Sequence, residues 1–238
     1  MIYELRLYSV VPGRIDVCYE RFEKHLPALF ARHGIRNTGR WTATAGPNGP
    51  MFVYLMAYRD LAEREGQWNS FYTDPEWFDI RSATQGDEEA VERFDLYFLK
   101  ANPSWTPDAA RSAERIGGTH DLILAEIALG KNAAANTFLA ETYLPCLQRA
   151  GAEIMLVADF ISGPALPKLA LMIAWPDGNA RTEGWRRINL DPDLREAITA
   201  QRQRIGRAAL GQTETHLLEP TPFALPLASL GNPLEAEQ

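Results

Sequence analysis

The residues with the most chemical potential sit on one short segment. Glu4, Arg6 and Tyr8 alternate within Ile2–Val10, so on a strand they share one face. Two charges there must be paired or solvated if they are buried. In one reading they pair with each other, or with Asp121 and Arg40 across a seam. In the other, Arg6 or Arg40 fixes a carboxylate, enolate or other anionic group of a ligand. Tyr54, Met56 and Tyr58 alternate in the same way over Met51–Tyr58. With Tyr8 and Tyr97 they form either an aromatic core or the wall of a pocket for a flat ligand, with hydroxyls as donors. His25 lies one position from an apolar stripe. It is either a base near neutral pH or a helix-end histidine that favours the dipole. His216 shares a predicted interior face with Glu214, as a buried acid–base pair or as an exposed edge. The candidates are therefore Arg6, His25 and Tyr54 for catalysis, and Glu4, Tyr8, Arg40, Met56, Tyr58, Tyr97 and His216 for ligand binding.

Other chemistries lack their signatures. His25, His33, His120 and His216 form no i, i+4 or alternate pair, so spacing predicts no metal site. Cys18 and Cys146 make neither a disulfide framework nor a zinc motif, and read as packed thiols. There is no glycine-rich phosphate loop and no G-x-S-x-G elbow, which argues against a nucleotide-dependent enzyme or an α/β-hydrolase. No cofactor is expected.

The elements that must position these residues repeat. A shift of 117 residues lays Tyr3-Glu4-Leu5 on His120-Asp121-Leu122, Gly34 on Gly151, Trp68 on Trp185 and Asp74-Pro75 on Asp191-Pro192. The run Tyr54–Tyr58 falls on Leu171–Trp175. Each unit reads β-α-β-β-α-β: strand Ile2–Val10, a helix from Ile15 to Gly34, strands Arg36–Thr44 and Met51–Tyr58 around a Gly-Pro-Asn-Gly turn, a helix over Leu61–Tyr72 capped by Asp60, a further short helix from Pro75, and strand Phe94–Lys100. The fold class is α+β, two tandem ferredoxin-like units. The units span 1–101 and 120–219, joined by a linker over 102–119 and followed by a proline-rich tail over 220–238.

Side-chain alternation then suggests which face meets which layer. The compact aliphatic set Val53, Leu55 and Ala57, with Tyr3, Leu5 and Leu7, is assigned to the helix side. The opposite face carries Glu4, Arg6, Tyr8, Tyr54, Met56, Tyr58, Arg40 and Tyr97, joined from the second unit by Asp121, Ile123, Leu171, Ile173, Trp175, Gln212, Glu214 and His216. Two such faces packed together close an eight-stranded barrel. Its interior would combine aromatic walls with convergent charges, the make-up of a small-molecule pocket.

Composition narrows the partners. The chain has 238 residues and a net charge of −7, from 24 Lys+Arg against 31 Asp+Glu. This disfavours a general affinity for nucleic acid or acidic membrane. The longest apolar run, Leu169–Trp175, is far short of the ~20 residues of a membrane span. Glu4 and Arg6 interrupt the first apolar stretch, so no secretory signal is expected. A reduced, cytoplasmic protein with a small-molecule ligand is expected, as is self-association into a homo-oligomer.

Ile2-Tyr3-Glu4-Leu5-Arg6-x-Tyr8, Pro12-Gly13 and Trp68-x-x-Phe71-x-x-Asp74-Pro75-x-Trp77 resemble the NIPSNAP family. The likeness covers both units and is degenerate in the second, where Ile123, Ala125 and Leu194 stand at the places of Arg6, Tyr8 and Trp77. The resemblance implies a dimeric α/β-barrel fold, shared with cofactor-independent monooxygenases, haem-degrading proteins and chlorite-dismutase-like proteins. It implies no settled reaction; a cofactor-independent oxygenase or isomerase activity and a non-enzymatic binding or scaffold role both stand. A haem would have to take one of the four histidines as its axial ligand. The recurrence of Trp68 and Asp74 as Trp185 and Asp191 marks the group Trp68, Phe71, Asp74 and Trp77 as anchors and a helix start rather than as catalytic groups.

Overall fold

The computed structural model describes residues 1–106 and 117–225. Strand β1 (Ile2–Val10) ends at Gly13, whose φ of 85° lies in the left-handed region that glycine enters without strain. Helix α1 covers residues 15–32, with a π-helical turn at Arg21–His25 before Leu26–Arg32. Pro27 accounts for that turn. It has no N–H to give the carbonyl of Glu23, and its ring pushes that carbonyl aside. Strands β2 (Arg36–Ala45) and β3 (Met51–Tyr58) follow, then α2 (Leu61–Tyr72), α3 (Pro75–Gln85) and β4 (Val91–Ala101). The order then recurs as β5 (Thr119–Ile127), α4 (residues 132–149), β6 (Glu153–Phe160), β7 (Lys168–Trp175), α5 (Gly178–Leu190), α6 (Pro192–Ile205) and β8 (Leu210–Pro220). Helix α4 carries its own π turn, Leu139–Tyr143, just before Pro145.

The caps recur as well. Asp60 and Asp177 accept from the backbone N–H groups of Glu63 and Ala180. Asp74 and Asp191 do the same for Glu76 and Leu194, each before a proline at the first helical position.

The strands close a barrel in the order β1-β3-β2-β8-β5-β7-β6-β4. Four antiparallel strands come from each half. The seams are short: β2 meets β8 from Trp41–Pro220 to Ala45–Leu217, and β4 meets β6 from Leu99–Phe160 to Ala101–Ala158. The helices pack outside. Among the described residues, no helix is long and apolar enough to cross a membrane.

The assignment of faces is the reverse of the sequence expectation. Tyr3, Leu5, Leu7, Val53, Leu55 and Ala57 fill the barrel, together with Leu122, Leu124, Ala170, Met172 and Ala174 of the second half. Tyr54, Met56 and Tyr58 face the helices and pack with Phe22, Leu26, Phe30, Trp68 and Phe71. Ile123, Leu171, Ile173 and Trp175 face α4, α5 and α6 in the same way. The physical reason is space. An eight-stranded barrel is just wide enough for compact side chains from all its strands. The long charged chains fit better beside the helix layer, where Arg64 reaches Glu4, while the barrel also takes the rings of Tyr3, Trp41 and Phe160. Register corrects two more residues. Tyr97 lies opposite Leu5, and His216 opposite Leu122, so both sit on the barrel side, away from Arg6.

The predicted linker is anchored where it begins. Asn102 is buried, and its side-chain amide donates to Asp159 (2.6 Å) and Asn136 (3.0 Å). Residues 107–116 of that segment lie outside the described residues, as does the tail from 226 onward. Just after β8, Phe223 meets Tyr19 edge-on at 5.5 Å.

Candidate functional site

Glu4 and Arg6 are 0 % and 2 % exposed, so their charges must be answered internally. Glu4 lies beneath α2 and takes Arg6 on one side and Arg64 Nε, at 2.7 Å, on the other. Arg64 is partly exposed at its outer end, which explains how a carboxylate on a barrel strand can be tolerated here. The Arg6 guanidinium stacks on Trp68, its Cζ 3.9 Å from the ring centroid. The Trp68 indole donates to Tyr58 Oη at 2.7 Å. Desolvation pulls the Arg6 pKa down, but Tyr54, Tyr8 and Glu4 outweigh it and hold the guanidinium above its ordinary value.

Arg6 Nη1 donates to both Tyr8 Oη and Tyr54 Oη, each at 3.2 Å. Tyr54 donates to Tyr8 at 2.6 Å. The Tyr8 oxygen therefore accepts twice, which fills its lone pairs and leaves its own proton to point elsewhere. Tyr8 lines a cavity of about 330 Å³ between β1, β3, β4, α1, α2 and α3. Its walls are largely apolar, from Phe22, Leu26, Phe30, Phe71 and Trp77. Arg21, Arg81, Glu89 and Phe94 line it as well. Arg21 belongs to the π turn of α1. Its Nε donates to Thr84 Oγ1 at 2.7 Å and its Nη2 to the Arg81 carbonyl at 3.3 Å.

Several groups here are held protonated. Burial raises Tyr54 well above the ordinary phenol value. Burial also pushes the Cys18 thiol, another lining group, up to about 11. Both are neutral near pH 7, a hydrogen-bond donor and an inert thiol respectively.

Of the ten sequence candidates, Arg6, Tyr8 and Tyr54 converge on the cavity, with Glu4 directly behind Arg6. The others do not line it. His25 is half-buried in the π turn. Arg40 binds Asn37 and the Phe22 carbonyl. Met56 sulfur accepts from Asn37, and Tyr58 accepts from Trp68. Tyr97 packs on Phe160, and His216 lies on the barrel side. The sequence reading missed Cys18, Arg21 and Arg81 as lining residues; nothing in helix periodicity distinguishes a cavity-facing arginine from a solvated one. Trp68, Phe71 and Trp77 were read as anchors, and they are also cavity walls.

The equivalent space in the second half is smaller, about 150 Å³, and is lined by Ile123, Ala125, Phe138, Leu171 and Leu194 among others. A shallower groove beside it runs along Arg181, Trp185 and Asn189.

Comparison with known proteins follows these halves. The NIPSNAP family model matches residues 3–104. No curated protein matches the chain. An anthrone oxidase-like protein of known structure is 13% identical, with a TM-score of 0.56, over 95% of this chain and 93% of that one; this likeness extends the shared fold across both halves. A NIPSNAP domain protein from Burkholderia xenovorans is 23% identical, with a TM-score of 0.39, over 45% of this chain and all of its own. Over residues 3–104, then, the chain is similar to the NIPSNAP family.

Proposed function

We propose that the chain binds a small, flat oxyanion, such as an aromatic carboxylate, phenolate or enolate, in the cavity of its first half. The observation that carries this reading is the Tyr8 hydroxyl. Its oxygen accepts from Arg6 and from Tyr54, so its proton is polarised and left for a partner in the cavity that Tyr8 lines. A fixed donor backed by a buried cation is a preorganised partner for negative oxygen. The aromatic walls supply a surface for a ring.

Binding is favoured over proton abstraction by the lining itself. Among the described residues it contains no histidine, and its carboxylate is the exposed Glu89. A ligand that arrives already charged suits such a site. Oxygenase-type conversion, raised by the likeness to an anthrone oxidase-like protein, then fits a substrate entering as its own enolate or phenolate. That link is fold analogy and carries less weight than the site.

We also infer that the chain is an internal duplication, with units at 1–101 and 120–219 of which the first keeps the ligand site. The recurring element order, caps and π turns support this. The test is a thermal-shift series with benzoate and phenylpyruvate. Binding to the folded state raises the melting temperature by mass action. The expected result is a rise in the wild type that shrinks in Tyr8→Phe. No rise with either compound, or a rise untouched by Tyr8→Phe, would overturn the reading.

A further inference from the structure

We propose that the ligand of this cavity is a dianion, a flat or aromatic body carrying two separate negative groups. This deepens the preceding reading and rests on it. Charge is unbalanced at two places, one behind Arg6 and one at the mouth formed by Arg21, Arg81 and Glu89. At the first, Glu4 answers two guanidiniums, Arg6 and Arg64. At the second, Glu89 answers two more: it pairs with Arg81 at 2.9 Å, while Arg21 stands beside Arg81 and has no carboxylate of its own among the described residues. Each cluster therefore holds one positive charge in excess. They are distinct sites, one on barrel strand β1 and one where the π turn of α1 meets α3.

Arg21 is the informative member. Its hydrogen bonds run through Nε to a threonine hydroxyl and through Nη2 to a backbone carbonyl. Both partners are neutral. It is half-buried, it lines the cavity, and its Cζ lies 5.8 Å from the Trp77 ring, another cavity wall. A half-buried guanidinium that stacks on an aromatic wall and meets only neutral acceptors is suited to a charged group from outside the chain. The first negative group of the ligand meets the Tyr8 hydroxyl, and the second meets Arg21. The apolar wall between them takes the ring. The volume, about 330 Å³, is near the lower end of typical ligand pockets, which suits a single-ring compound.

The second half offers a contrast. Phe138 and Ile198, 117 residues after Arg21 and Arg81, line its small cavity, and Ile123 replaces Arg6. Both excess charges are missing there together, and so is most of the space.

The experiment is calorimetric titration of the full chain with matched pairs of probes. Benzoate and phenylacetate are the monoanions; isophthalate, terephthalate and 1,4-phenylenediacetate are the dianions and sample three spacings. The expected result is that at least one dianion binds about tenfold or more tightly than its monoanion. Charged contacts of this kind weaken with salt, so the gap should narrow as ionic strength rises. Arg21→Gln should abolish the gap while monoanion binding persists, and Arg21→Lys should restore part of it. Dianions no tighter than monoanions, or a gap that survives Arg21→Gln, would overturn the dianion and leave the oxyanion site standing. Failure of every probe to bind would overturn both.

Discussion

At matching places in the two helix–barrel layers, the first half buries Arg6 and the second half buries Ile123. Around that exchange the same scaffold is wired differently. In the first half a carboxylate, Glu4, is held by two guanidiniums, and Trp68 spends its indole N–H on Tyr58. In the second, Asp121 accepts from two indoles, Trp175 at 2.9 Å and Trp185 at 2.8 Å, and from Arg181 at 2.8 Å. Packing changes in step. Trp175 fits because α5 has Gly184 against it; a Cβ there would lie 2.1 Å from the indole. The first half sets Tyr58 and Gln67 at those places. The second carboxylate is thus fully consumed by the chain's own donors. The first leaves an arginine free to arm two phenols, and the wall opens into a cavity. The second half is settled into packing, and the first keeps polar groups at a cavity.

The largest expected effect tests that division directly. Arg6→Ala breaks a buried ion pair, which costs about 3–5 kcal/mol, and should abolish oxyanion binding. Ile123→Ala should cost about 2–4 kcal/mol through its cavity and leave binding intact. Denaturant unfolding and ligand titration of both variants check this. Equal loss of binding in the two would break the asymmetry.

The barrel seam belongs to both halves and gives the next effect. Trp41 of the first half donates to His120 Nδ1 of the second at 2.8 Å. Burial lowers His120 from 6.5 to about 4. The unfolded chain therefore binds more protons between those values. Stability from this group is full above about pH 6.5 and is lost as pH falls toward 4, with a total on the order of 3 kcal/mol. Unfolding free energy measured across that window should fall, and His120→Gln should flatten the slope. An unchanged slope in His120→Gln would contradict the assignment.

A smaller effect sharpens the comparison of the two carboxylates. Trp185→Phe removes one of the two indole donors to the Asp121 carboxylate, a hydrogen bond to a charged group worth about 1.5–3 kcal/mol. Denaturant unfolding should show a loss of that size. An unchanged stability would show that Asp121 does not depend on this indole donor.

Much of the scaffold was legible in residue types and spacing. Strands Ile2–Val10 and Met51–Tyr58 and helix Leu61–Tyr72 have the expected ends, since caps, turns and alternation mark them locally. β4 starts three residues earlier than expected, at Val91. What alternation cannot supply is the direction of a face. It shows that Arg6 and Tyr54 can share a side, but not whether that side meets a barrel interior or a helix layer. Closure of eight strands decides this, and it sets the charged pair against the helices, where Arg64 reaches Glu4. Tyr97 and His216 part from Arg6 for a different reason, their register opposite Leu5 and Leu122. The Arg6–Tyr8–Tyr54 group was found because it is encoded on two adjacent strands. Arg21 and Arg81 were not, because their meeting depends on how α1 packs against α3.

The proposed oxyanion site is one per chain, with the Tyr8 hydroxyl as its donor. Calorimetric titration of benzoate into the wild type and Tyr8→Phe is the test. The expected result is one molecule bound per chain, and about tenfold weaker binding without the hydroxyl, the worth of one hydrogen bond to a charged partner. Two equivalent sites per chain, or an affinity unchanged in Tyr8→Phe, would contradict it.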